Sequence, residues 1–139
     1  MSSRKHLLRL QTLAEFRHEL RTFLQFSESA AAQHSLPAQQ HQLLLQIAGA
    51  PDGIAPTVAY AAARLGLRHH SIVELSKRCE EAGLLTRVHD PADRRRVLLQ
   101  LTAAGTRVLD DLSEDHAAEL NQRAPKLIAA LKRIQSIRP

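Results

Sequence analysis

The sequence predicts a mainly α-helical chain with one small β wing, on three observations. Apolar residues recur at spacings of three and four through residues 7–33 (Leu7, Leu10, Leu13, Phe16, Leu20, Phe23, Leu24), and the same period returns beyond residue 103. Aromatic residues make up only 3% of the chain, so the core must be built mostly from Leu, Ala, Ile and Val, which favours helices. One stretch breaks the helical pattern. There "LLTRVH" and "RRVLLQL" flank "DPAD", and Thr and Val enrichment around a turn reads as a hairpin. At 139 residues the prior is a single domain of ordinary size.

The elements follow in order. The first helix, 7–33, carries polar residues between its apolar positions and ends at "HSLP", because the residue before Pro37 is disfavoured in helical geometry. A second helix spans 38–48, with Leu43, Leu44 and Ile47 as its apolar stripe, and "GAPDG" closes it. Ile54-Ala55 reads as a short strand. A third helix runs over 57–65, with Thr57 as N-cap and Gly66 where a terminating glycine belongs. After a tight turn a fourth helix, "RHHSIVELSKRCEEAG", places Ile72, Leu75, Cys79 and Ala82 on one face. The hairpin comes next. A long helix then starts at Thr102, carrying Val108, Leu109, Leu112, Ala117 and Leu120. Pro125 is expected to interrupt it before a last helix, "PKLIAALKRIQSI".

Composition narrows the function. Lys and Arg outnumber Asp and Glu by 19 to 14, for a net charge of +5, which raises the prior for a nucleic acid or another anionic partner. A lone cysteine, Cys79, excludes an intrachain disulfide and fits a reducing compartment. No apolar run is long enough to span a membrane, and "MSSRKHLLRLQTLAEFRHEL" is too charged for the core of a signal peptide, so a cytoplasmic location is expected. There is no activated Ser or Cys motif, no Gly-rich phosphate loop and no spaced carboxylate pair, so no enzymatic activity is expected. The eight histidines form no tight cluster with Cys or Glu, so neither a metal nor any other cofactor is expected.

Two helices joined by a short glycine-containing turn make a helix-turn-helix, and the charged hairpin directly after it makes the winged variety. An α-helix fits the DNA major groove and reads base edges with its solvent face. On the fourth helix that face carries His70, Ser71, Glu74, Lys77 and Arg78. Residues 64–96 hold eight Lys/Arg against five Asp/Glu, so +3 of the chain's +5 lies in less than a quarter of its length.

At these residues the chain resembles the MarR family of transcriptional regulators. The family pattern is a recognition helix followed by Arg-Leu-Glu-x-x-Gly-Leu, a wing of Asp-x-Arg, and Leu-Thr-x-x-Gly. Here it reads Arg78-Cys79-Glu80, Gly83-Leu84, Asp93-Arg94-Arg95 and Leu101-Thr102-Ala103-Ala104-Gly105, ungapped over about 40 residues. The resemblance implies a single domain over 1–139. Residues 1–36 and 103–139 would form dimerisation helices, and 37–102 the DNA-binding lobe. It also implies a homodimer on double-stranded DNA, with release triggered in many members by a small aromatic or phenolic effector, an oxidant or a metal. The one-sided apolar helices at both ends of the chain fit such a dimer, since pairing with a second copy by two-fold symmetry would bury them. A pseudo-palindromic operator and a repressor role are expected.

Carried over residue by residue, the family's wing arginine falls on Arg95, expected in a minor groove, with Asp93 orienting it. Arg78 falls at the helix end as a bracing residue. Strand alternation would send the neighbours of Arg95 to other faces, with Arg94 toward phosphate. His69 and His70 open the recognition helix, within reach of phosphate or base. Thr57 presents a hydroxyl and backbone N–H to phosphate. Arg68, Ser71, Lys77 and Arg87 complete the expected DNA-contacting set. Glu74 stands where some relatives carry a basic residue. Ser71-x-x-Glu74 fits a capping box, so capping or a salt bridge is favoured there over base readout. Cys79 sits where the family usually has Leu and reads as a core thiol. Phe16, Arg17, His18, Phe23, His41 and Leu44 are the expected effector lining, with apolar or aromatic acids as the ligand class. The same chain could instead serve as a winged-helix module for an acidic protein partner, or as a sensor in which ligand binding dominates.

Overall fold

The computed structural model describes residues 2–137. Five helices and one hairpin follow in the order α1 (Ser2–Gln33), α2 (Ala38–Ala48), α3 (Val58–Leu65), α4 (His69–Glu81), β1 (Leu85–Asp90), β2 (Asp93–Leu101) and α5 (Ala103–Ser136). The chain divides into two compact units. One comprises Met1–Ala30 with Glu114–Pro139, and the other Ala31–Ser113.

The Ala31–Ser113 unit is a closed winged helix. Leu43, Leu44 and Ile47 of α2 meet Val58 and Ala61 of α3 and Ile72, Leu75 and Cys79 of α4, all buried. Leu85 and Leu99 from the hairpin and Leu109 and Leu112 from α5 complete the core. Because those α5 leucines are needed to close it, the first turns of α5 belong to this unit, which therefore extends past residue 102. Ahead of it, α1 ends where Ser35 takes a left-handed φ of 57° and the Leu36 N–H donates to Ala31 O at 3.0 Å. Ile54 and Ala55 form no strand. Pairing falls instead on Thr57, bridged to Leu98, beside Leu99 N–H donating to Pro56 O at 2.9 Å. That contact anchors the root of the wing to the start of α3.

The other unit pairs the first 30 residues with the C-terminal part of α5. Its buried hydrophobic residues, among those described, are only Ala30 and Ala130. Thr12, Glu19 and Ser27 are buried beside them. Glu19, 3% exposed, accepts a hydrogen bond from Arg123 Nη1 at 3.2 Å and faces Lys126 Nζ at 3.8 Å. Arg123 Nε donates in turn to Glu119 at 2.8 Å. Pro125 does not interrupt α5, which runs unbroken through it. A mid-helix proline costs about 3 kcal/mol. Here residues of good helix propensity flank it, and ion pairs through Arg123 and Lys126 hold both sides of the proline onto α1.

Candidate nucleic-acid interface

The helix-turn-helix is fixed by local chemistry. Thr57 caps α3, its Oγ1 accepting from Tyr60 N–H at 3.0 Å. Gly66 takes φ 65° after Leu65, and Leu67 N–H donates to Ala62 O at 3.1 Å, so the chain reverses within three residues into α4. The inward side of α4 buries Ile72, Leu75, Ser76 and Cys79. His69, His70, Glu74, Lys77 and Arg78 are exposed, as is Arg68 at the N-cap, and Ser71 is half-buried. The capping box does not form. Helix α4 starts at His69 with Arg68 as its N-cap, which places Ser71 inside the first turn, where it cannot cap. Glu74 instead faces Lys77 at 3.7 Å. Such an exposed pair contributes about 0–1 kcal/mol at most. Cys79 is fully buried, and desolvation pushes its thiol up to about 11, so thiolate chemistry is suppressed.

The wing departs from simple alternation. Its antiparallel register runs from Leu85↔Leu101 to His89↔Val97, then jumps to Asp90↔Asp93. Arg94, Arg95 and Arg96 therefore face no residue of β1 and stand out as a bulge. The three arginines thus lie outside the regular ladder, and all three are exposed. The cause is the fixed pairing on either side. The apolar run Val97–Leu99 locks onto Arg87–His89, while Asp90 makes a tight turn by accepting from Ala92 N–H at 2.9 Å. The three residues between these fixed points have no ladder to join.

Each arginine in the bulge has its own tether. Asp93 Oδ1 accepts from both the backbone N–H and Nε of Arg95 at 3.1 Å, and Oδ2 from Nη2 at 3.4 Å. Those bonds, with the Arg96 charge, hold the Asp93 carboxyl below the usual carboxylate range. The Arg95 side chain is nonetheless 92% exposed, so it is oriented without being covered. Arg96 Nη1 lies 3.5 Å from Asp90 Oδ2. Arg94 has no carboxylate in range among the described residues, and its carbonyl is held at 2.9 Å by His89 Nδ1. Arg87 is half-buried. Its backbone N–H donates to Glu80 Oε2 at 3.1 Å, and its Nε is shielded from solvent, which leaves it the least available of the expected contacts.

The two glycine-containing motif segments meet at the base of the wing. Gly83 takes φ 76° at the end of α4, and Leu84 O accepts from Thr102 N–H at 3.0 Å. Thr102 Oγ1 donates to Gly83 O at 2.6 Å and accepts from Gly105 N–H at 3.1 Å. A Cβ on Gly105 would collide with the Leu84 carbonyl. The glycine is thus required by close approach of α5 to the turn after α4.

Of the expected effector-lining residues, Phe16 and Phe23 are half-buried and Arg17 and His18 exposed in the terminal-helix unit. His41 and Leu44 are buried in the winged unit. Phe23 and Phe26 stand edge-on to the His116 ring at 5.9 and 5.4 Å between centroids, and His116 Nε2 is hydrogen-bonded to Ser27 Oγ at 2.7 Å. Phe26, Ser27 and His116 were not legible from spacing. Nor was His89, a histidine ahead of an Asp-Pro turn with no motif around it. Among the described residues no three His, Cys, Asp or Glu side chains could hold a metal together, and no helix is long and apolar enough to cross a membrane.

Comparison with known proteins agrees with this geometry. A sequence model of the MarR family matches residues 34–96. The transcriptional regulator HosA of Escherichia coli O111:H- is 33% identical over 126 residues, covering 84% of this chain and 90% of its own. CouR from Rhodococcus jostii, solved bound to p-coumaroyl-CoA, shares 29% identity at a TM-score of 0.62, over 73% of this chain and 69% of its own. A cysteine-to-serine mutant of MarR from E. coli, complexed with operator DNA, shares the fold with a TM-score of 0.68 at 18% identity, over 88% and 90% of the two chains.

Proposed function

Because the chain belongs to the MarR family of DNA-binding transcriptional regulators, we propose that it is a ligand-responsive repressor that binds a pseudo-palindromic operator as a homodimer. The observation that carries DNA recognition is the pairing of an exposed polar α4 face with a three-arginine bulge. The first would enter a major groove with His69, His70, Ser71, Lys77 and Arg78. The second would approach the flanking minor groove and phosphates with Arg94 and Arg95, while Asp93 sets the direction of Arg95. Arg68 and, to a lesser degree, Arg87 lie on the same unit and complete the set, whereas Thr57 is buried with its N–H donated to Ala55 O at 2.9 Å and serves as the cap of α3.

The homodimer reading rests on the terminal-helix unit. Leu7, Leu10, Leu13, Leu24, Ile128 and Leu131 are each between 44% and 53% exposed there, while the buried hydrophobics are alanines. Burying one such leucine against a second copy contributes about 1.5–3 kcal/mol, and two-fold symmetry repeats every contact. A phenolic or other aromatic effector is supported by the p-coumaroyl-CoA of CouR and by the Phe23–His116 cluster, which offers aromatic edges beside a hydrogen-bonding imidazole.

The test is fluorescence anisotropy with the DNA upstream of the chain's own gene against a scrambled duplex, at about 150 mM salt. Specific binding that falls steeply with salt is expected, and equal binding of both duplexes overturns the reading. Arg95→Ala is expected to weaken specific binding by about 1–3 kcal/mol. Adding p-coumarate or its thioester to the complex should raise the anisotropy midpoint if the effector class is right.

A further inference from the structure

We propose that His89 is a positioning residue for DNA binding: it pegs open the arginine bulge by clamping the Arg94 carbonyl. The inference rests on the DNA-binding reading of the wing and adds a residue that the family motif does not contain.

Three adjacent arginines outside any ladder face two penalties. Their backbone groups lose sheet partners, and their guanidinium charges repel one another. Side chains supply what the ladder does not. Asp93 takes the Arg95 N–H and guanidinium, and Asp90 takes the charge of Arg96. Among the described residues no carboxylate serves Arg94, whose fixed point is the 2.9 Å bond from His89 Nδ1 to its carbonyl oxygen. Fixing that oxygen fixes the plane of the peptide joining Arg94 to Arg95. It therefore sets where both side chains leave the backbone.

The chemistry also fixes a proton. A carbonyl oxygen only accepts, so Nδ1 must carry the hydrogen. In the neutral ring this is the Nδ1–H tautomer, which leaves Nε2 as the acceptor. His89 pairs with Val97, the last residue of the regular ladder before the bulge, so the clamp sits at the bulge's hinge. Among the described residues Arg94 alone of the three has no carboxylate in range, which leaves its charge for a phosphate.

The experiment uses the full chain, the upstream duplex and three proteins: wild type, His89→Phe and His89→Asn. Phe keeps a planar ring without a donor. Asn places an amide N–H close to where Nδ1 stood. The Phe variant is expected to bind about tenfold more weakly, with the slope of log K against log salt reduced by about one phosphate contact. The Asn variant should recover most of the affinity and the slope. His89 is exposed, so neither variant should move the urea midpoint appreciably. Long-range proton–nitrogen NMR of the free protein should show His89 as the Nδ1–H tautomer. An unchanged affinity in His89→Phe, an Asn variant no better than Phe, an unaltered salt slope, or an Nε2–H tautomer each overturns the proposal. Failure of the wild type itself to distinguish the upstream duplex from a scrambled one overturns the DNA reading and this inference together.

Discussion

The two compact units of this chain solve the burial problem in opposite ways. The winged unit places leucines and isoleucines from every element at its centre and leaves charge on the α4 face and in the wing. The terminal-helix unit buries no large apolar side chain among its described residues, leaves many of its leucines exposed, and buries a threonine, a serine and a glutamate. The first reads as a structure complete in one copy. In the second, ion pairs to the buried Glu19 specify how α1 meets α5, and the homodimer proposed above would cover the exposed leucines. Folding stability should therefore reside in the winged unit, and assembly in the other.

Four measurements would break or sharpen that contrast. Leu43→Ala removes a fully buried side chain of the winged core and should cost about 2–5 kcal/mol in urea unfolding, whatever the protein concentration. Alkaline unfolding probes the same core through Cys79. The folded thiol titrates at about 11 against an ordinary 9.0, so the unfolded chain loses its proton first as pH rises. The stabilisation is full below the unfolded value and gone above the folded one, a loss of up to about 3 kcal/mol across that window. Cys79→Ala should flatten that part of the profile. Gly105→Ala should destabilise by about 1–3 kcal/mol, although the same change at an open helical site stabilises, because the added methyl meets the Leu84 carbonyl. Smallest in intrinsic stability, within about 0.5 kcal/mol, is Leu131→Ser on the exposed face. If the proposed homodimer forms through that face, its effect belongs in sedimentation, as weaker self-association. A loss from Leu131→Ser equal to that from Leu43→Ala, at concentrations where the chain is monomeric, would erase the distinction between the units.

What was legible in the sequence divides along the line between local and non-local chemistry. Thr57, Gly66 and Thr102 act through bonds to residues three or four positions away, or through their own backbone angle, and spacing alone located them. The inward face of α4 followed from the spacing of Ile72, Leu75 and Cys79, whereas Ala82, expected on the same face, is exposed just past the helix. Pro125 misled because the ion pairs that keep α5 helical across it come from Glu19, more than a hundred residues away. The Ser71–Glu74 pattern misled by three residues, since the N-cap of α4 is Arg68 and not Ser71. The arginine bulge was invisible because register depends on which apolar run locks first, and alternation offers no hint that a ladder will skip three positions. Within the expected interface, residue identities were readable while their geometry was not. Arg95 was read as the groove residue with Arg94 toward phosphate, but the bulge that both share with Arg96, and the Asp93, Asp90 and His89 contacts that tether it, were not foreseen.

The contact at Gly105 has one more consequence. Between the first turn of α5 and the Leu84 carbonyl there is no side chain to compress, and Thr102 bolts the same turn to Gly83 through a 2.6 Å bond. Leu84 N–H is itself bonded back to Cys79 O in α4. The joint therefore has almost no compliance. The first turn of α5, the end of α4 and the root of the wing are joined there backbone to backbone. A change that pries this turn off Leu84 would therefore disturb α4 and the root of the wing together.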